Sequence, residues 1–380
     1  MSFLGHIGVC ETHGIRRFFY PVSVEIPASM LDPAGCPDGV PIASLFMPDG
    51  RQVPLQVTPG ASNPELDWRL DFAVSLSPFE KLELKLFSPY PEFAMIEKKG
   101  RGALNCEASP PALDDPLHTI EEKRFRSCQR RFSTEFDRSG TLHVVEYDSI
   151  PHLRAPASFI RNGLRASLEG VSAFAVGFPL SARVRAAGKY PDRCAAETLL
   201  ETTACKSWVR LTHLLSRTQT DDELTFNLPL TVSSSVVTCD FGAGGGIYGN
   251  LHVETCPEII WHSRFLPSGG ASWSISSGSR TDYIGQAQTA EEYLPQRWFH
   301  LIDGQKALAV AITHVPDCCR EMKATIGADG DVTVAFKIGE AAGEPAAFGL
   351  CCHFLNNIPA IAAATNPQSI LLPPVVTWEC

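Results

Sequence analysis

Ala182-Arg183-Val184-Arg185-Ala186-Ala187-Gly188-Lys189-Tyr190, residues 197–203, Lys206-Ser207-Trp208-Val209-Arg210-Leu211 and Asp222-Glu223-Leu224-Thr225-Phe226-Asn227-Leu228-Pro229-Leu230 form the stretch whose reading decides the fold. Each run is short and bounded by Gly, Pro, Asp or Ser. Val, Leu, Thr and Phe recur inside the runs, and these residues suit a pleated, half-buried surface. The spacing predicts consecutive strands over residues 173–190, 195–204, 208–216 and 223–232.

The same pattern extends in both directions. Upstream, residues 18–26 alternate and read as a strand. Residues 41–47 and 51–57 flank Pro48-Asp49-Gly50, whose Asp-Gly pair supplies a hairpin turn. Residues 66–76 and 79–87 continue that sheet, and residues 125–137 and 141–148 open a second body. Downstream, strands are expected over residues 250–255, 258–265, 270–276, 297–302, 306–313, 321–326, 332–338 and 347–354. Few windows carry apolar residues at helical spacing over more than two turns. The chain holds 29 prolines, which leaves little room for long helices. The expected fold is therefore all-β, a large antiparallel β-sandwich or supersandwich with a smaller N-terminal β-sandwich portion. Residues 1–95 form that portion in this reading. Residues 96–118, which include Lys98-Lys99-Gly100-Arg101, are a linker or crossing loop, and residues 119–380 are the main body.

Composition narrows the function. Thirty-two Lys and Arg against 42 Asp and Glu give a formal net charge of −10. An acidic surface repels phosphate backbones, so no nucleic-acid partner is expected. No run approaches the roughly 20 apolar residues that span a bilayer, so no membrane partner is expected either. The first residues, Met-Ser-Phe-Leu-Gly-His-Ile-Gly-Val, lack the basic and apolar regions of a signal peptide. Thirteen cysteines, an odd count without a Cys-x-x-Cys pair, read as reduced thiols in apolar strands. Both features point to a soluble cytoplasmic protein.

The layout of residues 183–230 resembles the β-supersandwich of galactose mutarotase-like domains, which also form the C-terminal body of several glycoside hydrolases and polysaccharide lyases. Arg297-Trp298-Phe299-His300-Leu301-Ile302-Asp303-Gly304, followed by residues 307–312, is similar to a strand pair in the C-terminal sandwich of α-mannosidase-type proteins. The resemblance implies a fold and a carbohydrate substrate class. It carries no catalytic residue across.

Candidate chemistry comes from strand parity, since residues i and i+2 share a face. In Asn250-Leu251-His252-Val253-Glu254-Thr255, Leu251 and Val253 point one way and His252 and Glu254 the other. A His beside a carboxylate suits general acid–base work. An ordinary solvated ion pair is the competing account. The preceding glycines 242, 244, 245, 246 and 249 leave room for a ligand at the backbone. In residues 258–265, alternation gives His262 and Arg264 one face and Trp261 and Phe265 the other. Trp298 and His300 share a face and could form a sugar-stacking platform beside an acid–base group, or a core Trp with a satisfied His. Arg280 and Tyr283, in a polar loop, could hold hydroxyls or a carboxylate, or belong to a plain turn.

This assigns His252, Glu254 and His300 as catalytic, and His262, Arg264, Arg280, Tyr283 and Trp298 as substrate-binding. No cofactor is implied. No metal site is assigned, because the histidines lack a recognised ligand spacing. Residues 242–249 are not a phosphate-binding loop, and neither H-E-x-x-H nor G-x-S-x-G occurs. The function expected is a carbohydrate-active enzyme, an epimerase, lyase or hydrolase, acting on a small-molecule or oligosaccharide substrate. The alternative is a non-catalytic carbohydrate-binding or structural β-sandwich subunit. Homo-oligomerisation is left open.

Overall fold

A computed structural model describes residues 2–33, 40–60, 67–88, 120–121, 124–128, 132–137, 141–147, 149–173, 181–203, 206–231, 237–242, 259–265, 298–303, 306–326, 331–339, 345–356 and 369–379. These residues form five sheets, all paired antiparallel, with strands numbered in chain order. The first sheet runs β26 (Val375–Glu379), β1 (Ser2–Cys10), β7 (Lys81–Ser88), β3 (Ser44–Phe46), β4 (Gln52–Val53). A three-stranded sheet joins β2 (Arg17–Pro27), β6 (Asp67–Leu76) and β5 (Leu55–Pro59). A third sheet runs β12 (Ile150–Pro151), β11 (Leu142–Tyr147), β10 (Phe132–Asp137), β9 (Arg124–Cys128), β8 (Ile120–Glu121). The fourth runs β13 (Ser158–Arg161), β18 (Glu223–Pro229), β24 (Asp331–Ile338), β23 (Cys319–Ile326).

The largest sheet has nine strands. Its order is β14 (Ser167–Ala173), β15 (Ser181–Lys189), β16 (Ala195–Thr203), β17 (Lys206–Leu215), β25 (Ala346–Asn356), β22 (Lys306–His314), β21 (Trp298–Asp303), β19 (Val237–Gly242), β20 (Ile259–Phe265). Among the described residues, helix is confined to a 3-10 turn at Ala28–Met30 and three residues at 369–371. The all-β expectation holds for the described residues.

Two cores explain the sequence pattern of the central strands. Leu308, Val310 and Ile312 of β22 pack with Leu350, Cys352 and Phe354 of β25, Val209 and Leu211 of β17, and Leu224, Val334 and Phe336 of the four-stranded sheet. The intervening Ala311, Cys351 and Trp208 belong to a second core, with Ile7, Val22, Leu70, Phe72 and Leu84 of the N-terminal strands. The middle of the nine-stranded sheet is thus buried on both faces. This is why residues 307–312 read as an unbroken apolar run, and residues 350–354 as an apolar run broken only by His353, rather than as alternating ones.

The predicted hairpin forms between β3 and β4, with Gly50 at φ +85°, where a side chain would be strained. The chain then leaves that sheet after Pro54, and β5 joins the three-stranded one. Further boundaries differ from the expectation. Residues 125–137 are split between β9 and β10, and residues 173–190 between β14 and β15. The structure also pairs β1 with β26, Ile7 opposite Trp378. The linker expected at residues 96–118 lies outside the described residues.

Cys10, Cys194, Cys318, Cys319, Cys351 and Cys352 are free thiols. Burial drives the Cys351 thiol up to about 11, so it stays protonated at neutral pH. Among the described residues, no helix is long and apolar enough to cross a membrane.

Candidate functional site

A buried charged cluster lies where the three-stranded sheet meets the nine-stranded one. On β6, Leu70, Phe72, Val74 and Leu76 enter the N-terminal core. Strand parity sends Arg69 and Asp71 to the opposite side. Ser23 of β2 and Gln56 of β5 stand directly across from Asp71. On the nine-stranded sheet, register aligns Arg183, Glu201, Arg210 and Cys351 on neighbouring strands β15, β16, β17 and β25.

The two rows interlock through ion pairs. Arg69 donates from Nε to Asp71 Oδ1 at 2.9 Å, and from Nη2 to Glu201 Oε1 at 2.8 Å and to Ser23 Oγ at 2.9 Å. Arg183 Nη2 donates to Asp71 Oδ2 at 2.8 Å. Arg183 Nε lies 3.0 Å from Glu201 Oε1, an ion pair whose angle falls outside hydrogen-bond geometry. The Ser23 hydroxyl donates to Asp71 Oδ1 at 2.5 Å. These side chains are largely withdrawn from water, so the pairs are weakly screened.

Burial alone would raise the Asp71 pKa, but Arg69, Arg183 and the Ser23 hydrogen bond outweigh it and hold the carboxyl below its ordinary value. The two arginines respond differently. Burial and then the charge of Arg69 lower the Arg183 pKa. For Arg69, burial is outweighed by Glu201 and Asp71, and its pKa rises. Removing one partner of such a network typically costs about 3–5 kcal/mol, because the survivor is left as an uncompensated buried charge.

A cleft of about 30 Å³ opens beside the network, lined by Ser23, Arg69, Glu201, Thr203, Trp208 and Arg210. That volume suits a water-sized occupant and is far too small for a sugar ring. The Trp208 ring is buried, meets Tyr20 and His353 edge-on at centroid distances of 5.6 and 5.8 Å, and lies 5.0 Å from the Arg210 guanidinium carbon. Among the described residues, no cluster of three or more His, Cys, Asp or Glu could hold a metal ion.

The residues singled out from sequence fall in two groups. His252, Glu254, Arg280 and Tyr283 lie outside the described residues. His262 and Arg264 stand on β20, and Trp298 and His300 on β21, with β19 between the two strands. Register runs His300–Ala309–His353–Trp208 from β21 through β22 and β25 to β17, and Trp298–Ala311–Cys351–Arg210 beside it. The candidate strand therefore shares two rows with the charged cluster, about 14 Å away across three strand spacings. Beyond β21, Asp240 pairs with His300, and Trp261 pairs with Asp240.

A register shift between Cys239 and Asp240 breaks the strict alternation of β20. Arg264 is opposite Thr238 and Trp261 opposite Asp240, positions of like parity on β19, while His262 has no register partner there. Arg69, Asp71, Arg183, Glu201 and Arg210 are not among the site residues expected from the sequence. Their signal was visible as charges at alternate positions of otherwise apolar strands, as in Trp68-Arg69-Leu70-Asp71-Phe72.

No protein-family model and no curated protein matches the chain. Solved structures do. An α-mannosidase from Enterococcus faecalis V583 is similar over 99% of this chain and 46% of its own, with a TM-score of 0.55 and 11% identity. A protein in glycosyl hydrolase family 38, also from Enterococcus faecalis, is similar over 99% of this chain and 47% of its own, with a TM-score of 0.55 and 10% identity. The chain thus spans a little under half the length of these proteins. At such identities the likeness is one of fold: a β architecture found within glycoside hydrolase chains.

Proposed function

We propose that this chain is a carbohydrate-active protein of the galactose mutarotase-like type, with its sugar site at the β19–β20–β21 end of the nine-stranded sheet. The observation that carries the reading is the fold shared with an α-mannosidase over 99% of the chain. The gathering of His262, Arg264, Trp298 and His300 onto two strands flanking β19 supports that location. In this reading His252, Glu254 and His300 perform general acid–base chemistry on a glycoside or sugar. His262, Arg264, Arg280, Tyr283 and Trp298 hold the substrate. In this reading residues 1–95 form an N-terminal portion and residues 119–380 the main body, with Trp208, Ala311 and Cys351 of the main body packing into the N-terminal core and β26 pairing with β1.

The test is a screen of the purified chain against aryl glycosides and free sugars, followed by hydrolysis, elimination or anomer exchange. Glu254→Gln is expected to cut turnover about 100-fold or more with an unchanged unfolding midpoint, since one acid–base group contributes 10²–10⁴. Full turnover in that variant on the true substrate removes Glu254 from the mechanism.

A second reading, a non-catalytic sugar-binding or structural module, draws support from the charged cluster, whose carboxylates are engaged with arginines and whose cleft is too small for a sugar. Sugar binding without turnover, weakened by Trp298→Ala and untouched by Glu254→Gln, would favour it.

A further inference from the structure

The cluster between the two sheets contains three guanidinium groups, Arg69, Arg183 and Arg210, and two carboxylates, Asp71 and Glu201. The carboxylates are committed to the first two arginines: Asp71 pairs with Arg69 and Arg183, and Glu201 Oε1 does the same. Arg210 forms no ion pair among the described residues. Its neighbours are the Trp208 ring at 5.0 Å, the protonated Cys351 thiol, the Tyr20 phenol and, directly across on β16, the charge of Glu201. Burial raises the pKa of that phenol too, so it is neutral. Three guanidinium groups thus share two carboxylates, and the cluster keeps one positive charge in excess in a half-buried site, an arrangement that is costly unless something compensates it.

Arg210 and Arg69 both line the cleft of about 30 Å³, with Ser23, Thr203, Trp208 and the arginine-paired carboxylates Asp71 and Glu201. The buried indole N–H of Trp208 has no acceptor among the described residues. The locality is thus rich in donors, and its two carboxylates are already engaged by Arg69 and Arg183. We propose that this cleft binds one small monovalent anion of halide size, held by Arg210 of β17 and facing Ser23 and Arg69 of the opposing sheet. The bound ion supplies the missing counter-charge and ties the two sheets together. Its expected effect is on stability, and it stands independently of any sugar chemistry.

Bromide is the probe. Crystals of the full chain soaked in sodium bromide should show an anomalous peak within hydrogen-bond reach of the Arg210 guanidinium. In chloride-free buffer, sodium bromide should raise the unfolding midpoint saturably, by about 2 °C at tenfold excess over its Kd. Sodium gluconate at equal ionic strength should not. Arg210→Met should abolish the bromide response, and Arg210→Lys, which keeps the charge, should weaken it. A cleft holding only water in the soaked crystals overturns the proposal. So does an equal midpoint rise in gluconate, or a bromide response that survives in Arg210→Met.

Discussion

Acidification should destabilise this protein through one buried histidine. His213 of β17 lies in the core between the nine- and four-stranded sheets. Its ring stacks on Phe159 at 4.6 Å and 14°. Thr198 Oγ1 lies 2.9 Å from Nδ1, and the Tyr190 hydroxyl 3.1 Å from Nε2. Both ring nitrogens are satisfied, yet neither bond is to a carboxylate that would favour the imidazolium. Burial, and then the charge of Arg161, drive the pKa from 6.5 to about 3. The unfolded chain therefore binds a proton that the folded one refuses. The stabilisation is present in full above pH 6.5 and is lost as pH falls from 6.5 towards 3. Complete burial means no solvent discount, and the full effect is about 5 kcal/mol, accruing at about 1.4 kcal/mol per pH unit within that window. Urea midpoints of wild type and His213→Gln, taken from pH 7.5 to 4.5, measure it. The variant should be less stable at pH 7.5, because it loses the stacked ring. Its stability should then fall less steeply with pH, by about 1.4 kcal/mol per unit between pH 6 and 4.5. Parallel pH dependences in the two proteins, or an imidazole resonance of His213 titrating near 6.5 in the folded state, would refute the argument.

Other perturbations test the packing directly. Asp71→Ala leaves Arg69 and Arg183 to share Glu201 alone and should cost about 3–5 kcal/mol in urea unfolding; the double variant Asp71→Leu/Arg183→Met should recover part of that loss. A Cβ at Gly349 would fall 2.6 Å from Thr313 Oγ1 and 3.0 Å from the His314 backbone nitrogen. Gly349→Ala should therefore destabilise by about 1–3 kcal/mol, the usual penalty of overpacking, read as a lowered midpoint.

The strands were largely legible because residue spacing within a strand is a local property. Alternation in Glu223–Pro229, or in Asp331–Ile338 with its buried Val332, Val334, Phe336 and Ile338, needs no knowledge of partners. Partner choice is not local. Nothing near Ile7 announces that Trp378 will lie opposite it, and the pairing joins residues at opposite ends of the sequence. The shift at Cys239 and Asp240 was hidden for the same reason: a bulge is a mismatch between two strands, and one strand read alone still alternates. Hence Glu258–Phe265 suggested a face shared by His262 and Arg264, whereas the register gives only Arg264 a partner on β19. Charged residues were judged by a similar local rule. An ionisable pair alternating with apolar residues was expected to face water or a cleft, yet Arg69 and Asp71 follow that pattern and are buried against another sheet.

A sheet with a core on each side has no solvent face in its middle, so charges there must be matched by charges on the layer above. Arg183 and Glu201 meet Asp71 and Arg69 in this way, and a group so committed cannot also exchange protons with a substrate without breaking the contact between layers. The same rows of residues continue from β17 to β21, where Trp208 and Arg210 give way to His300 and Trp298. The structural charges thus lie on β15–β17, and the residues proposed to meet sugar lie about three strands further along the same sheet. Variants at the two ends should accordingly separate. Asp71 and Arg183 substitutions should lower stability while leaving the KM of the surviving folded fraction unchanged, and Trp298 substitutions should raise KM or weaken sugar binding at nearly constant stability. A sugar affinity that fell in step with stability across both sets would mean that the ends of the sheet are not independent, and the proposed separation would fail.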